Sequence, residues 1–556
     1  MIQVLPDSVI NQIAAGEVIE RPASAVKELV ENSLDAGATQ IKISVKRGGK
    51  DLIKIIDNGS GIDPDDIEKS VLRHATSKLR DVSDLFKLST NGFRGEALSS
   101  IASISKMAIE SNGIRAEFEG GSLTYKGCTA ITSGTTITVH DLFFNAPVRA
   151  EFLKNDSVES SRILDCIVRL AIANENVRFE YRADNRMLFC SEKGSLKSRI
   201  SDCLGTSVVR TLKTIEWEEF GIRVWGFVSS SDSEGKRNIP YIFLQKRPIY
   251  NSLIAKAINQ AYAPYGNHSP IAVIFLDMPL ETFDVNVHPA KKEVRFSRDS
   301  AVFSAVNHAV HNALQNAISY PSISIVNELR EKAPSYVADN KVESGGSELF
   351  PDDRIVSLPT LNFQLSTPNI STPSPDCMQI GKSYIICEQG QSMLIIDQHR
   401  AHKLILFERA LQALQSGQSL ASQELLFPEN VEIPAVLSPI LHAQKNELKK
   451  LGFYLEPFGV NTWRLRGIPA HLRTGAAALA LIGFLEDAKE SKESDLFRKN
   501  ALCFANNSAI SSGTELSAQE MKGIVSDLLS LQNPYETPRG EAIFMKMSIE
   551  DIKRKF

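Results

Sequence analysis

Glu28, Asn32 and Asp35 stand at i, i+4 and i+7, so on a helix all three project from one face. A carboxylate and an amide four residues apart can divide two jobs. The carboxylate can activate a water molecule, while the amide oxygen can hold a magnesium ion. An ordinary solvated helix face has the same spacing, and this pattern alone does not separate the two.

Three further segments bear on the question. DNGSGI, Asp57 to Ile62, follows a strand-like run. Its aspartate could accept a hydrogen bond from the exocyclic amine of adenine, while Gly59 and Gly61 let the chain approach a flat ligand. Asp-Asn-Gly is also a favoured hairpin turn. TSK, Thr76 to Lys78, and NGFRGEAL, Asn91 to Leu98, read as a glycine-flanked lid running into a helix N-terminus, a position suited to phosphate. No GxxxxGK[ST] loop is present there. GTTITV, Gly134 to Val139, offers strand hydroxyls that could support the adenine contact.

These residues need a scaffold. AVKELVENSLDA is an amphipathic helix with Val26, Leu29, Val30 and Leu34 as its apolar stripe. TQIKISVKRG and KDLIKIIDNG alternate as two antiparallel strands, and TSGTTITVHDLF is a β-branched strand. Beyond about 205, RTLKTIEWEEFGIRVWGFVSS, NIPYIFLQKRPI, PIAVIFLDM and FDVNVHPAKKEVRF are strands, with SLIAKAINQAYAPY a helix, giving a second α+β unit. The tail opens with strands SYIICEQG and SMLIIDQH and the helix RAHKLILFERALQAL.

At 556 residues the chain exceeds one core, and its 43% hydrophobic and 23% charged content is that of an ordinary globular protein. No run reaches the ~20 apolar residues a membrane helix needs. The N-terminus lacks a signal-peptide pattern. Seven scattered cysteines without a CxxC pair speak against a disulfide framework or a zinc site, so a reducing compartment is expected. The net charge of −4 excludes no partner. Segment 331–376, rich in Ser, Pro, Thr and Asp, reads as a flexible linker. The expected division is 1–205, 206–330, 331–376 as linker and 377–556.

The four segments, in this order, resemble the GHKL (Bergerat-fold) ATPases. NQIAAGEVIERPASAVKELVENSLDAGA, RHATSKL, GFRGEALSSIASI, DLFFNAPVRAEFL and VNVHPAKKEVRF narrow the resemblance to the MutL family of mismatch-repair matchmakers. It is specific over about 1–330 and weaker over 377–556. The resemblance implies an α+β multidomain fold: a GHKL α/β sandwich, a second α+β domain of ribosomal-protein-like fold, and a C-terminal α+β dimerisation domain. It implies ATP and Mg2+ as cofactors, with Glu28 as general base and Asn32 holding the magnesium. Asp57 would read adenine, with Gly59 and Gly61 shaping the pocket and Thr136 supporting it. Ser77, Lys78, Gly92, Phe93, Arg94, Gly95, Glu96, Ala97 and Leu98 would form the lid over the phosphates. Lys291 would reach from the second domain to the γ-phosphate. Lys291 and Lys292 alone would read as a solvated strand end.

The family further implies a homodimer whose ATP-driven closure associates with DNA, mismatched or nonspecific. It implies MutS as partner, helicase and sliding clamp as further ones, no membrane, and a bacterial-type cytoplasmic, nucleoid-associated location. Lys246, Arg247 and Arg149 are DNA-contact candidates. Many relatives carry a nicking endonuclease marked by D[MQ]HAxxExxxxE. Here DQHRAHKLILFE keeps Asp397, His399 and Glu408 but has Lys403 where the first glutamate belongs. An ammonium there repels a cation. NPYETPRGEAIF supplies no Cys or His, LCFANN supplies only Cys503, and His402 would be a substitute ligand without family support. The leading expectation is a slow ATPase matchmaker without nuclease activity; a nicking endonuclease and a near-silent ATP-binding scaffold are the alternatives. QELLFP, with Gln423, Leu425 and Pro428, resembles the QxLxxP peptide that binds the sliding clamp.

Overall fold

The computed structural model describes residues 18–73, 75, 95–230, 240–265, 270–284, 294–315, 377–491 and 495–554. The linker expected over 331–376 lies outside them, as do His74, Thr76 to Arg94 and 285–293 with Lys291 and Lys292.

Helix α1, Pro22–Asp35, starts with proline at its first turn, where no intrahelical N–H is lost. It buries Val26, Leu29 and Val30 as its stripe demands. Strands β1, Gln40–Lys46, and β2, Leu52–Asp57, pair antiparallel as read from their alternation, Ile41 opposite Asp57. Helix α2 is Ala97–Ser103. Strands β3, Lys106–Ser111, β4, Ile114–Glu119, β5, Ser122–Cys128, and β6, Thr135–His140, follow. A short helix α3, Pro147–Glu151, precedes the long α4, Asp156–Ala173. Strands β7, Arg178–Ala183, and β8, Arg186–Ser191, complete a sheet of order β5-β4-β3-β6-β2-β1-β7-β8. Only the β1–β7 pair within it is parallel. Helices α1 and α4, with α5, Leu196–Leu204, pack into one apolar core with this sheet.

The second unit begins with α6, Thr206–Thr211, and carries β9, Leu212–Glu219, β10, Ile222–Ser229, β11, Pro240–Leu244, β12, Arg247–Ile249, and β13, Ala272–Asp277, in the order β12-β11-β13-β10-β9. Helices α7, Ser252–Tyr262, and α8, Asp299–Gln315, cover one face, and the short strands β14, Phe283–Asp284, and β15, Arg295–Phe296, pair antiparallel. The other face meets the first unit: Tyr241, Phe243, Val273 and Phe275 belong to the first unit's core. Trp225, Phe275 and Phe243 stack in succession at 4.2 and 4.6 Å between centroids.

The tail contains β16, Cys377–Ile380, β17, Tyr384–Gln389, and β18, Ser392–Asp397, running straight into α9, Gln398–Ser416. Strand β22, Phe544–Ser548, completes this sheet, in the order β16-β17-β18-β22. A second sheet of β19, Ser422–Glu432, β21, Thr462–Pro469, and β20, Tyr454–Pro457, lies with α10, Ser438–Lys450, and α11, Thr474–Glu490. Helix α12, Leu496–Ser508, packs on α9 and α11. The tail touches the first unit along α4: Ser161 donates to the Val436 carbonyl at 2.6 Å, and Ala435 and Val436 bury in the first core. Among the described residues no helix is long and apolar enough to cross a membrane.

Candidate nucleotide site

Asp57 ends β2 with 9% of its surface exposed. Its Oδ2 accepts from the Ser33 hydroxyl at 2.8 Å. Its Oδ1 accepts from the Gly59 amide at 2.9 Å and the Thr135 amide at 3.3 Å. Three donors fix the carboxylate in one orientation. Each carboxylate oxygen has two lone pairs, so capacity for a further donor remains.

The loop after Asp57 is anchored on both sides. The Asn58 side chain accepts from the amides of Thr39 and Gln40 at 2.9 and 2.8 Å, closing the turn after α1. A Cβ on Gly59 would come within 2.9 Å of the Ala36 carbonyl, and Gly61 has φ +79° with the Asn112 side chain against it. Both glycines are therefore required by the protein's own packing, beside any ligand.

Thr136, the expected support for the adenine contact, is the next residue on β6 after Thr135, whose amide meets Asp57. Thr135 lies opposite Asp57 in the β2–β6 register, and Thr136 lies opposite Ile56. Side chains alternate along a strand, so one position decides the face. Thr135 belongs to the GTTITV segment, whereas Ser33 is not among the AVKELVENSLDA residues singled out from the sequence. Ser33, one residue past Asn32, is the signal that could have found the contact, since it sits on α1 beside the buried stripe.

Glu28 and Asn32 sit together on α1, with Glu28 16% exposed at its side chain. Asn32 and Asp35 are half-buried. Lys27 Nζ stands 3.1 Å from Glu28 Oε1 and 3.1 Å from Glu31. Burial works against that ammonium, but Glu31 and Glu28 override it and hold the Lys27 pKa above its usual range. A carboxylate and an amide oxygen are hard donors that suit magnesium, which takes few protein ligands alongside phosphates and waters.

The lid is only partly described. Ser77, Lys78, Gly92, Phe93 and Arg94 lie outside the described residues. Gly95, at φ +63°, backs onto the Ala75 carbonyl, Glu96 is the N-cap of α2, and Ala97 and Leu98 open the helix. Lys291 also lies outside the described residues.

Of the DNA-contact candidates, Lys246 is exposed at the β11–β12 turn. Arg149 reaches the Ile19 carbonyl at 3.5 Å. Burial lowers the Arg247 pKa against the pull of Glu31 and Asp35 of α1. Beside it Arg169 of α4 lies between the Tyr241 and Tyr250 rings, 4.8 and 4.5 Å from their centroids, and pairs with Asp165 at 3.1 Å.

In the tail, Asp397 is the N-cap of α9, accepting from the Arg400 amide at 3.0 Å. His399 Nδ1 meets the Ile510 carbonyl at 2.7 Å, and His402 Nδ1 accepts from the Ile510 amide at 3.0 Å. Among the described residues, no group of three or more His, Cys, Asp and Glu side chains could hold a metal ion. Burial, with Arg539 nearby, lowers the Lys403 pKa against the pull of Glu541 and Asp487.

Residues 19–125 match the family described as "Histidine kinase-, DNA gyrase B-, and HSP90-like ATPase". Residues 200–315 match "DNA mismatch repair protein, C-terminal domain", and residues 377–516 match "MutL C terminal dimerisation domain". The chain is 34% identical over 604 residues to the DNA mismatch repair protein MutL of Anaeromyxobacter dehalogenans (strain 2CP-C), covering 100% of this chain and 99% of that protein. It is 31% identical over 596 residues to the protein of that name from Geotalea daltonii, covering 100% and 99% respectively. A solved Aquifex aeolicus MutL ATPase domain complexed with ADP is 32% identical and covers 48% of this chain and 95% of that one, with a TM-score of 0.37. The chain belongs to the MutL family of DNA mismatch repair proteins, with a GHKL ATPase domain, a mismatch-repair second domain and a C-terminal dimerisation domain.

Proposed function

We propose that the chain is an ATP-switched matchmaker of mismatch repair, in which slow ATP hydrolysis opens and closes a dimer around DNA. The observation that carries this is the Ser33–Asp57 hydrogen bond at 2.8 Å. It locks the helix bearing Glu28 and Asn32 to the strand end bearing a carboxylate with room for one more donor. Asp57 accepts the adenine amine. Glu28 takes the proton of the attacking water as general base. Asn32 holds Mg2+, which when bound neutralises phosphate charge. The lid from Ser77 through Leu98 and Lys291 close over the phosphates. The domain limits 1–205, 206–330 and 377–556, with 331–376 as linker, are part of this reading.

Partners follow from chemistry and family together: DNA held through phosphate contacts, MutS, a helicase and the sliding clamp, all in the bacterial cytoplasm at the nucleoid. Lys246 and Arg149 remain DNA-contact candidates, and such contacts are salt-sensitive. Dimer pairing uses the outer face of the β16-β17-β18-β22 sheet. Met378, Ile386, Ile395 and Met545 form one row across its four strands, while Ile385, Cys387, Leu394 and Ile396 fill the inner face. Met378 and Met545 are each 59% exposed, an apolar face suited to a second copy. This reading gives the tail no DNA-cutting role, supported by Lys403, a cation where the nuclease motif has its first glutamate.

The test is ATP hydrolysis by the chain and by Glu28→Ala, with a supercoiled-plasmid nicking assay in Mg2+ and Mn2+. Slow hydrolysis lost in Glu28→Ala, without nicking, is the expected result. Hydrolysis that survives Glu28→Ala overturns the base assignment. Nicking abolished by Asp397→Asn replaces the matchmaker by a nicking endonuclease.

A further inference from the structure

Ser111, the last residue of β3, stands opposite Thr135 of β6, and Thr135 stands opposite Asp57 of β2, so the three form one row across three strands. All three are buried, Ser111 completely. The Ser111 hydroxyl accepts from the Ile62 amide at 2.9 Å and donates to the Gly134 carbonyl at 2.9 Å. That donation uses its one proton, so towards the Thr135 hydroxyl, 3.4 Å away, Ser111 is the acceptor. Its donor and both of its acceptor sites are thereby occupied. Asn112, the next residue, donates from Nδ2 to the Ile62 carbonyl at 3.1 Å. Ser111 and Asn112 thus hold Ile62 by its amide and its carbonyl together.

Ile62 and Gly134 belong to the two segments that serve Asp57. Segment 57–62 carries the Gly59 amide, and Gly134 directly precedes the Thr135 amide. Both amides donate to Asp57 Oδ1, at 2.9 and 3.3 Å. These donors come from stretches far apart in the chain, and the Ser111 hydroxyl is bonded to both stretches. Without it each segment would settle on its own, and the direction of the carboxylate would follow whichever moved.

That direction bears on which base the carboxylate accepts. Adenine presents an amine donor at the edge where guanine presents a carbonyl acceptor. A carboxylate held in one direction meets the amine and repels the carbonyl, whereas one free to turn separates the two less well. We propose that Ser111, with Asn112, is a positioning residue that sets the preference of the Asp57 carboxylate for adenine over guanine. The proposal rests on Asp57 being the residue that reads the base.

The test uses the full chain, with ADP and GDP affinities from titration calorimetry and with kcat and KM for Mg-ATP. Ser111→Ala should lower ADP affinity about tenfold and GDP affinity far less, so the preference for ADP falls by nearly that factor. KM for ATP should rise with it, while kcat changes less than about twofold. Ser111→Thr, which keeps the hydroxyl, should keep the preference. A merely structural role would weaken both nucleotides alike, and that result or an unmoved preference would overturn the inference. If Ser111→Ala does not fold, Asn112→Gly suits the φ of +44° there, removes the hold on the Ile62 carbonyl and should lower the preference about threefold. Asp57→Asn should lose the preference, and Ser111→Ala should add nothing to that loss, because members of one network are not additive. A preference that survives Asp57→Asn would overturn the base-reading assignment and the inference with it. A preference lost in Asp57→Asn but intact in Ser111→Ala would overturn the inference alone.

Discussion

Ser33 Oγ lies 2.8 Å from Asp57 Oδ2 and 3.2 Å from the Leu29 carbonyl, and its single proton is directed to the nearer, charged acceptor. Ser33→Ala removes that donor while Gly59 and Thr135 still hold the other oxygen. We expect ADP affinity to fall about five- to tenfold, the worth of one hydrogen bond of about 1 kcal/mol. The value of kcat at saturating ATP should change far less. Titration calorimetry with ADP checks this, and unchanged affinity would show that the two amides orient Asp57 alone.

Gly134 has φ +74°, and a Cβ there would overlap the Asp57 carbonyl oxygen, which is backbone and cannot swing aside. Gly134→Ala should therefore part β6 from β2 at the point where the Thr135 amide meets Asp57. The expected outcome is a stability loss of about 1–3 kcal/mol together with weakened ADP binding. Thermal melting with and without ADP reads both effects. A variant that melts normally and is stabilised by ADP as the parent is would sink this account of the glycine.

Arg169 joins the first two domains through Asp165, the Tyr241 and Tyr250 rings, and the Pro240 carbonyl at 3.5 Å. Burial alone would raise the Asp165 pKa, but Arg169 and Lys489 outweigh it and hold the pKa below normal. Arg169→Met strands a buried carboxylate and should cost about 3 kcal/mol. Arg169→Met combined with Asp165→Asn should recover a good part of that loss. Denaturant melts of the single and double variants give the coupling, and purely additive losses would exclude a shared pair.

How far the sequence could lead is clearest at particular residues. The α1 stripe, the β1–β2 pairing and Asp57 at a strand end were all legible, because periods of 3.6 and 2 and a turn signal lie within short windows. GTTITV was legible as a strand, but which of its residues stands opposite Asp57 depends on register against β2, a long-range fact. Helix α4 escaped notice because it is buried on most sides, including Glu159 and Arg169, so its apolar pattern is broken by polar residues whose partners come from elsewhere. Nothing local to Arg247 reveals that Glu31 and Asp35, on a helix far away in the sequence, act on it. The cap that Asp397 supplies to α9 is, by contrast, a short-range contact with the Arg400 amide.

His402 and His471 lie in the tail with ring centroids 6.0 Å apart. Burial, and for His402 the neighbouring His471, Arg409 and His399, lowers both pKa values to about 4. For His471 the neighbouring charge is again Arg409. Each imidazole is neutral when folded and takes up a proton near pH 6.5 when unfolded. Their contribution to stability is therefore whole above about 6.5 and is lost as pH falls from there through about 4. The melting temperature of the full chain should drop across that window, and His402→Gln, which keeps an acceptor for the Ile510 amide, should flatten the drop. A pH-independent melt would mean that both rings take up protons as readily in the fold as in the unfolded chain, and would overturn the effect of burial.

The clamp-like segment QELLFP is displayed differently from its sequence spacing. Gln423 is held by the Leu472 carbonyl at 2.8 Å and pairs with Ile468, and Leu425 packs partly against the tail's core. The β19–β21 ladder then breaks between Glu424 and Glu429, and in that bulge Leu426 and Phe427 are 87% and 81% exposed. Two neighbouring apolar side chains turned wholly to water contribute little to folding, so they are the part of the segment free to enter an apolar pocket. Replacing both by serine should leave the melt within about 0.5 kcal/mol of the parent. The same change should abolish binding to the sliding clamp of the chain's own cell in surface plasmon resonance, whereas Gln423→Ala, at a strand position already tied to Leu472, should weaken it only in part. Full clamp binding by the double serine variant would remove this segment from the list of partners' contacts, and loss only in Gln423→Ala would return the contact to the glutamine.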